Sequence, residues 1–420
     1  MIYLDNAATT MVSKEVLDEM LPYFTEDFGN PDSVHAAAKK PREAIAEAER
    51  RVRENLIRSS SGKIIFTSGG TESNNMALNL CTSTFPLVSR IVTSATEHKS
   101  VLVPAKRCGD RRTTEILRPG GSGGIREPLN RNAAFTYALH HQERTLFSFM
   151  HMNNETGIQN SVYAIGDMLT RNRALTGLNN TFFHVDCVQS AGELRICPED
   201  MGADLVSVSA HKFHGPKGVG CLWVSDRLLD VLDLARMKAN KPVTALEMII
   251  GGGQQGGLRG GTLNVPGIVG LGAAASHIAR DVWKTVAEVS DAFANSLMHS
   301  CVKRKIPMPV FHFGKHGPNK PSYAGHDPKI LSIGFPGADA ETVVMIASEN
   351  GLCISNGAAC NSVSSEPSYV LLASGISPDL ARSTVRVSFS VYNTVAECQE
   401  GAEILAESVK EALSLTDLLP

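Results

Sequence analysis

Between residues 63 and 224 the chain repeats one pattern: a short apolar run, a polar break, then a stretch with helical spacing. The runs at 64–67, 90–93, 145–150, 181–186, 204–209 and 220–224 are rich in β-branched and aromatic residues, which fit a pleated surface. Strands that alternate with helices pair in parallel, because each connection crosses a face of the sheet before returning. That constraint predicts an α/β architecture: a mostly parallel sheet with helices on both faces. A short strand at 2–4 and a helix over 14–24 precede it. A polar helix over 41–58 opens with proline near its first turn and carries Glu/Arg pairs at helical spacing. Past Gly260 the order becomes helix (271–297), strand (330–335), loop, strand and helix, the pattern of a smaller α+β lobe. Two stretches, 107–132 with its P-G-G-S-G-G and 312–329, read as surface loops. At 420 residues the chain exceeds one typical core, in keeping with two lobes.

Two of the strands end on side chains with related chemistry. H-V-D-C-V-Q-S places Asp186 at the end of one, and S-A-H-K-F-H-G-P-K-G-V-G places Lys212 just past the next. In an open α/β sheet the carboxyl ends of the strands are where ligands bind. Pyridoxal phosphate (PLP) sites need this pair: a lysine to hold the aldehyde as a Schiff base, and an acid to keep the pyridine nitrogen protonated. The same residues also suit two ordinary strands closed by polar side chains.

Bulk properties narrow the alternatives. A hydrophobic content of 43% and a charged content of 20% describe an ordinary globular chain. The formal net charge of -3 offers no electrostatic case for binding nucleic acid or a membrane surface. No apolar run approaches the roughly 20 residues of a spanning helix. The N-terminus, M-I-Y-L-D-N-A-A-T-T, has neither the basic flank nor the apolar stretch of a secretory signal. Nine cysteines (Cys81, Cys108, Cys187, Cys197, Cys221, Cys301, Cys353, Cys360 and Cys398) form no C-x-x-C pair and no metal-ligand spacing. This odd, scattered set predicts no metal site, and free thiols in a reducing compartment, with the cytoplasm as the expected setting.

Three further clusters fall where strands end. I-I-F-T-S-G-G-T-E-S-N-N sets Gly70 and Thr71 at the start of a helix, where backbone N–H groups and a hydroxyl suit a phosphate dianion. A threonine ahead of glutamate is equally a plain helix cap. Ser209 and His211, flanking Lys212, are candidate donors to the same phosphate. T-E-H-K-S places His98 where an imidazole can cover a planar ring and carry protons, or simply sit in a surface loop. M-N-N-E-T-G places Asn154 where its amide can bond a ring oxygen or a carboxylate, although Asn-Asn before Thr-Gly also makes a turn.

Further motifs share this order: F-G-N-P-D-S-V-H at 28–35, G-G-G-Q-Q-G-G-L-R-G-G-T at 251–262, N-G-A-A-C at 356–360, E-P-S-Y-V-L at 366–371 and S-T-V-R-V-S at 383–388. With Y-L-D-N-A-A-T-T and the clusters above, the chain resembles the cysteine desulfurases of the class V aminotransferases, in the nitrogen-fixation and housekeeping group. The resemblance runs from the first residues to about Ser390. It implies the type I fold of PLP-dependent transferases: a seven-stranded-type, mostly parallel sheet with helices on both faces, plus a smaller α+β domain. The large PLP domain would span 14–262, and the small domain 1–13 with 263–420.

The resemblance also implies roles. Lys212 would be the Schiff-base lysine, Asp186 the pyridinium partner, Gln189 a donor to the ring's phenolic oxygen, and His98 the stacking ring. Gly70, Thr71, Ser209 and His211 would hold the phosphate, joined by Thr262 from the neighbouring subunit of a homodimer. Arg386 would grip the substrate carboxylate as a planar fork, with Asn154 assisting. Cys360, in the small and polar run N-G-A-A-C-N-S-V-S-S-E, matches the family's nucleophile on a mobile loop. The expected reaction converts L-cysteine to L-alanine and leaves the sulfur on Cys360 as a persulfide for an acceptor protein. Iron–sulfur assembly is one destination among several that begin with the same persulfide.

Some residues depart from the family pattern. Gln255-Gly256 stands where Glu-Arg is usual, and Ser390-Val391 where Gly or Ser is followed by Arg. The chain ends at Pro420 soon after its last helical run, so the docking tail of housekeeping members is not expected. E-P-S-Y-V-L-L-A-S-G followed by D-L-A-R is also similar to selenocysteine lyases. Another class V aminotransferase, or a sulfur-relay partner without turnover, are the remaining alternatives.

Overall fold

The computed structural model describes residues 1–82, 87–108, 112–120, 124–125, 143–177, 179–242, 248–279, 281–314, 325–357 and 366–416. Twelve strands lie among them: β1 (Ile2–Tyr3), β2 (Lys63–Thr67), β3 (Arg90–Ser94), β4 (Thr113–Leu117), β5 (Thr145–Met150), β6 (Thr181–Asp186), β7 (Leu205–Ser209), β8 (Gly220–Val224), β9 (Val310–Phe311), β10 (Ile330–Gly334), β11 (Leu352–Cys353) and β12 (Thr384–Ser388). Seven form one sheet in the order β2-β8-β7-β6-β5-β3-β4. Strand β8 runs antiparallel to both its neighbours, and the remaining pairings are parallel.

Alternation along each strand assigns its residues to one face or the other. Phe147, Phe149, Phe183, Val185, Val206 and Val208 point into one buried cluster. Their strand neighbours Leu146, Phe182, Leu205, Leu222 and Ile91 point into the opposite one. Every residue of β5, β6, β7 and β8 is buried, and apolar side chains fall on both faces, interrupted by Ser148, His184 and Ser207, which hydrogen-bond to one another. Each large apolar side chain removed from water contributes about 1.5–3 kcal/mol. The helices Lys39–Arg51, Val162–Thr176 and Val265–Ser276 supply residues to the first cluster, and the helix Gly70–Thr82 to the second.

A third cluster gathers Ile2 and Leu4 with residues between Val282 and Ala412. It sits under the antiparallel sheet β12-β10-β9, the parallel pair β1-β11, and the helices Val282–Arg304 and Val395–Thr416. Among the described residues no helix is long and apolar enough to cross a membrane.

The structure departs from the sequence expectations in four places. The stretch 107–132 contains β4, an edge strand whose Thr-Thr-Glu-Ile-Leu is half exposed and so lacks a buried-strand signature. The expected helix over 271–297 is two helices, broken between Ser276 and Val282. Helix 41–58 is α-helical from Lys39 to Arg51, continues as a π-helical turn, Val52–Ile57, and stops at Arg58 in the left-handed region (φ 47°). Proline at 22 splits the expected helix over 14–24 into Lys14–Met20 and Pro22–Thr25.

Candidate active site

Where the carboxyl ends of the central strands meet β12 there is a cavity of about 500 Å³. Of the residues singled out in the sequence, all line it except Thr262 and Cys360. Thr262 lies on the exposed surface of its own chain, and Cys360 falls outside the described residues.

Asp186 closes β6 and is fully buried. Its Oδ1 accepts from the Val188 N–H (2.9 Å), and its Oδ2 accepts from Asn74 Nδ2 (2.7 Å). Burial pushes the carboxyl above its ordinary range, opposed by the Val188 N–H, by His98, by Asn74 and by Lys212. A buried carboxyl tuned upward is suited to sharing a proton with a ring nitrogen. Lys212 closes the short 3-10 turn Ala210–Lys212 after β7. Its Nζ donates to the carbonyls of Ala7 (2.5 Å) and Ala8 (3.0 Å), so the N-terminal segment forms part of the site.

The glycine turn at the start of the helix Gly70–Thr82 is geometrically tight. Gly69 has φ +143°, and a Cβ on Gly70 would lie 2.6 Å from Val188 Cγ2. Only a glycine pair brings the start of the helix Gly70–Thr82 this close to the end of β6. Glu72 accepts from the Ser68 N–H (2.7 Å) and pairs with Arg259 (2.9 Å), which holds the turn from outside. Ser209, at the end of β7, and His211 complete the wall. Burial, with Lys212 and Lys217 nearby, lowers His211 to about 4, so its imidazole is neutral; Nδ1 faces Thr9 Oγ1 at 3.2 Å.

His98 caps the helix Lys99–Arg107: the Ser100 N–H donates to its Nδ1 (3.1 Å). That bond occupies the Nδ1 lone pair and assigns the proton of the neutral ring to Nε2. Burial lowers its pKa; Asp186 opposes this, while Lys212 and Lys99 add to it. Asn74 Nδ2 also donates to Ser100 Oγ (2.8 Å), which contacts His98 Nδ1 at 2.7 Å. Asp186, Asn74, Ser100 and His98 therefore form one chain of hydrogen bonds. The sequence pointed to neither Asn74 nor Ser100; the one available signal was Asn74 lying a helical turn after Gly70.

Gln189 is buried, yet neither of its amide atoms has a partner among the described residues. Arg386 lies on β12 with its side chain 3% exposed. Its Nη1 donates to the Asn154 carbonyl (2.9 Å) and its Nη2 to Asp5 Oδ1 (2.7 Å), while its buried Nε has no acceptor among the described residues. Asn154 thus meets Arg386 through its backbone. Two flanks of the Cys360 segment also converge here. Ser355 bridges Arg386 backbone to backbone, and Ser368 Oγ donates to the buried Glu155 (2.5 Å), next to Asn154.

Comparison with known proteins places the chain in a family. Residues 2–400 match the profile of the family described as Aminotransferase class-V. A cysteine desulfurase IscS of Anaeromyxobacter sp. (strain Fw109-5) is 36% identical over 421 residues, covering 99% of this chain and 94% of the relative. The chain belongs to the class-V aminotransferases, among the cysteine desulfurases. A solved NifS-like protein superposes on this class-V chain with a TM-score of 0.78 at 28% identity, covering 98% of this chain and 99% of the other. The structure titled SspA in complex with cysteine gives 0.70 at 30% identity, covering 94% and 100%. Within this family setting the Gln255 departure has a structural reading. Its amide donates to the Phe66 carbonyl (2.8 Å) and accepts from the Phe66 N–H (2.7 Å), pairing like a strand with the sheet's edge beside the Gly69-Gly70 turn.

Proposed function

We propose that this class-V member is a PLP-dependent cysteine desulfurase, converting L-cysteine to L-alanine and taking the sulfur onto Cys360 as a persulfide. One observation carries the reading: the unpartnered amide of buried Gln189 lines the same cavity as Asp186, Lys212 and Arg386. Polar groups buried without partners are rare in folded chains, and this one faces a space that fits a polar ring. The glycine-lined helix start supplies the matching phosphate pocket.

Bound there, PLP would supply an electrophilic carbon for the substrate amine and a ring that withdraws electrons from the amino acid's α-carbon. Gly70, Thr71, Ser209 and His211 would hold its phosphate, with Thr262 contributed by the second subunit of a homodimer. Asp186 would hold the proton at the ring nitrogen, Gln189 would donate to the ring oxygen, and His98 would cover the ring. Arg386 would exchange part of its present bonding for the substrate carboxylate, with Asn154 beside it. The Lys212 amine would take the α-proton. The Cys360 thiolate would attack the substrate sulfur; the Cβ–S bond breaks, its electrons stay with the carbon, and a proton from the site, with His98 a candidate carrier, completes alanine. The cysteine in the solved SspA complex supports L-cysteine as substrate. The IscS relatives support a sulfur-acceptor protein and a role in iron–sulfur cluster assembly. The eight cysteines among the described residues are all free thiols, most of them buried, which supports a reducing cytoplasmic setting.

Incubation with PLP, L-cysteine and a reductant tests this directly. Wild type should release sulfide and alanine in equal amounts, and Cys360→Ala should release less than about 1% of that sulfide, since no second nucleophile replaces the thiolate. Full turnover by Cys360→Ala would overturn the reading.

A further inference from the structure

Behind the Lys212 turn, on the side away from the cavity, lies a group of buried charges that the reaction above does not use. The Lys329 side chain is 1% exposed and forms an ion pair with Glu193, itself 9% exposed, at 3.0 Å. The same Nζ donates to the Lys212 carbonyl at 3.2 Å. Burying an ammonium and a carboxylate costs several kcal/mol per ion before their attraction is counted, and apolar residues of similar size would fill the space as well. Its placement is therefore informative.

Three segments meet at this point. Glu193 sits on the turn that continues from Asp186 and Gln189. Gly192, at φ +84°, lets that turn approach Phe213 so closely that a Cβ there would lie 2.6 Å from the Phe213 Cβ. Lys329 precedes β10, and its carbonyl accepts from the Phe389 N–H (2.9 Å), just past the end of the strand that carries Arg386. Asp327 ties the same segment to the Asn154 turn: its N–H donates to the Gly157 carbonyl (2.8 Å). The ammonium of Lys329 is thus a fixed link between the peptide of Lys212 and the strand of Arg386.

We propose that Lys329, held by Glu193, is a positioning residue for Lys212: it sets where the Lys212 amine stands relative to a substrate whose carboxylate is held by Arg386. The proposal rests on the functional reading above. Arg386 has its own supports in Asp5 and Asn154, so losing the link should disturb proton transfer and leave substrate binding in place. Misplacing a reacting group by about 1 Å can cost on the order of 100-fold in rate.

The test compares wild-type holoenzyme with Lys329→Met and with Lys329→Met/Glu193→Gln. Lys329→Met alone leaves Glu193 unpaired and should lower the melting temperature, whereas the double variant removes both charges and should recover most of it. The expected result is a kcat lower by about tenfold or more in both variants with KM within about twofold of wild type, the pattern of an interaction made only in the transition state. The visible circular dichroism of the bound cofactor should change in both. Turnover recovering along with stability in the double variant would show a purely structural pair and overturn the proposal. A raised KM with unchanged kcat, or failure of both variants to fold, would overturn it too. Wild type with no visible cofactor band would instead sink the functional reading and this inference with it. A wild type that binds PLP and turns over cysteine, matched by both variants, would sink this inference alone.

Discussion

On the cavity side of Lys212, Gln189 has no partner for either amide atom and Arg386 leaves its Nε without an acceptor among the described residues. On the far side, Lys329 and Asp327 are buried and the Glu193 side chain is 9% exposed, yet each has a polar partner: Lys329 with Glu193, and Asp327 with the Lys329 N–H (3.0 Å) and Gln159 (3.4 Å). Both regions place costly polar groups out of water within a few residues of the same turn. The difference separates two uses of burial. Unpartnered groups wait for a ligand to complete them, whereas satisfied groups hold a neighbour in one position.

The largest effect expected from breaking the cavity side is at Arg386. Arg386→Lys removes the planar fork and should lower kcat/KM for L-cysteine by about 10–100-fold, through KM, as one charge-assisted contact of about 1.5–3 kcal/mol is lost. Steady-state kinetics checks this, and an unchanged KM would place the substrate carboxylate elsewhere. Next comes Gln189→Leu, which removes an unsatisfied buried amide. The cofactor-free chain should gain about 1–3 kcal/mol in urea unfolding while binding PLP more weakly. A variant that loses stability without the cofactor would mean that Gln189 is already satisfied in the fold.

The last prediction concerns the satisfied side. Burial first, then the charge of Glu193, pushes the Asp327 carboxyl up to about 7, against the pull of Lys329 and Gln159. A carboxyl whose folded pKa is raised contributes its full stability below its unfolded value near 4, and loses it as pH rises through 7. Asp327→Asn removes that loss, so its stability relative to wild type should increase between pH 4 and 7, by no more than about 1.4 kcal/mol per pH unit. Urea unfolding at pH 5, 6, 7 and 8 reads the difference, and a gap that stays constant with pH would rule the titration out.

How much was legible beforehand depends on where each signal is stored. Strands β5 to β8 announce themselves because both faces are buried, which puts apolar residues on both sides of each run. Strand β4 does not, because an edge strand buries little of its Thr-Thr-Glu-Ile-Leu. The break between Ser276 and Val282 is hidden because Ile278, Ala279, Val282 and Trp283 keep apolar residues at helical spacing across it. Asp186, Lys212 and the Gly-Gly-Thr turn are readable because strand ends and helix starts carry local chemistry. Asp5, Glu193 and Lys329 carry none, and Asn74 only its place a helical turn after Gly70: each acquires meaning from a partner, and for Asp5 that partner, Arg386, is 381 residues away.

By itself, the sequence determined the α/β alternation, the residues at the strand ends and the family to which they belong. Those properties follow from side-chain periodicity and local motif order. Tertiary structure alone decided which polar groups stay unpaired around the cavity and which are tied together behind it. Hydrogen bonding and desolvation depend on distances between segments far apart in the chain, and no local pattern encodes those distances.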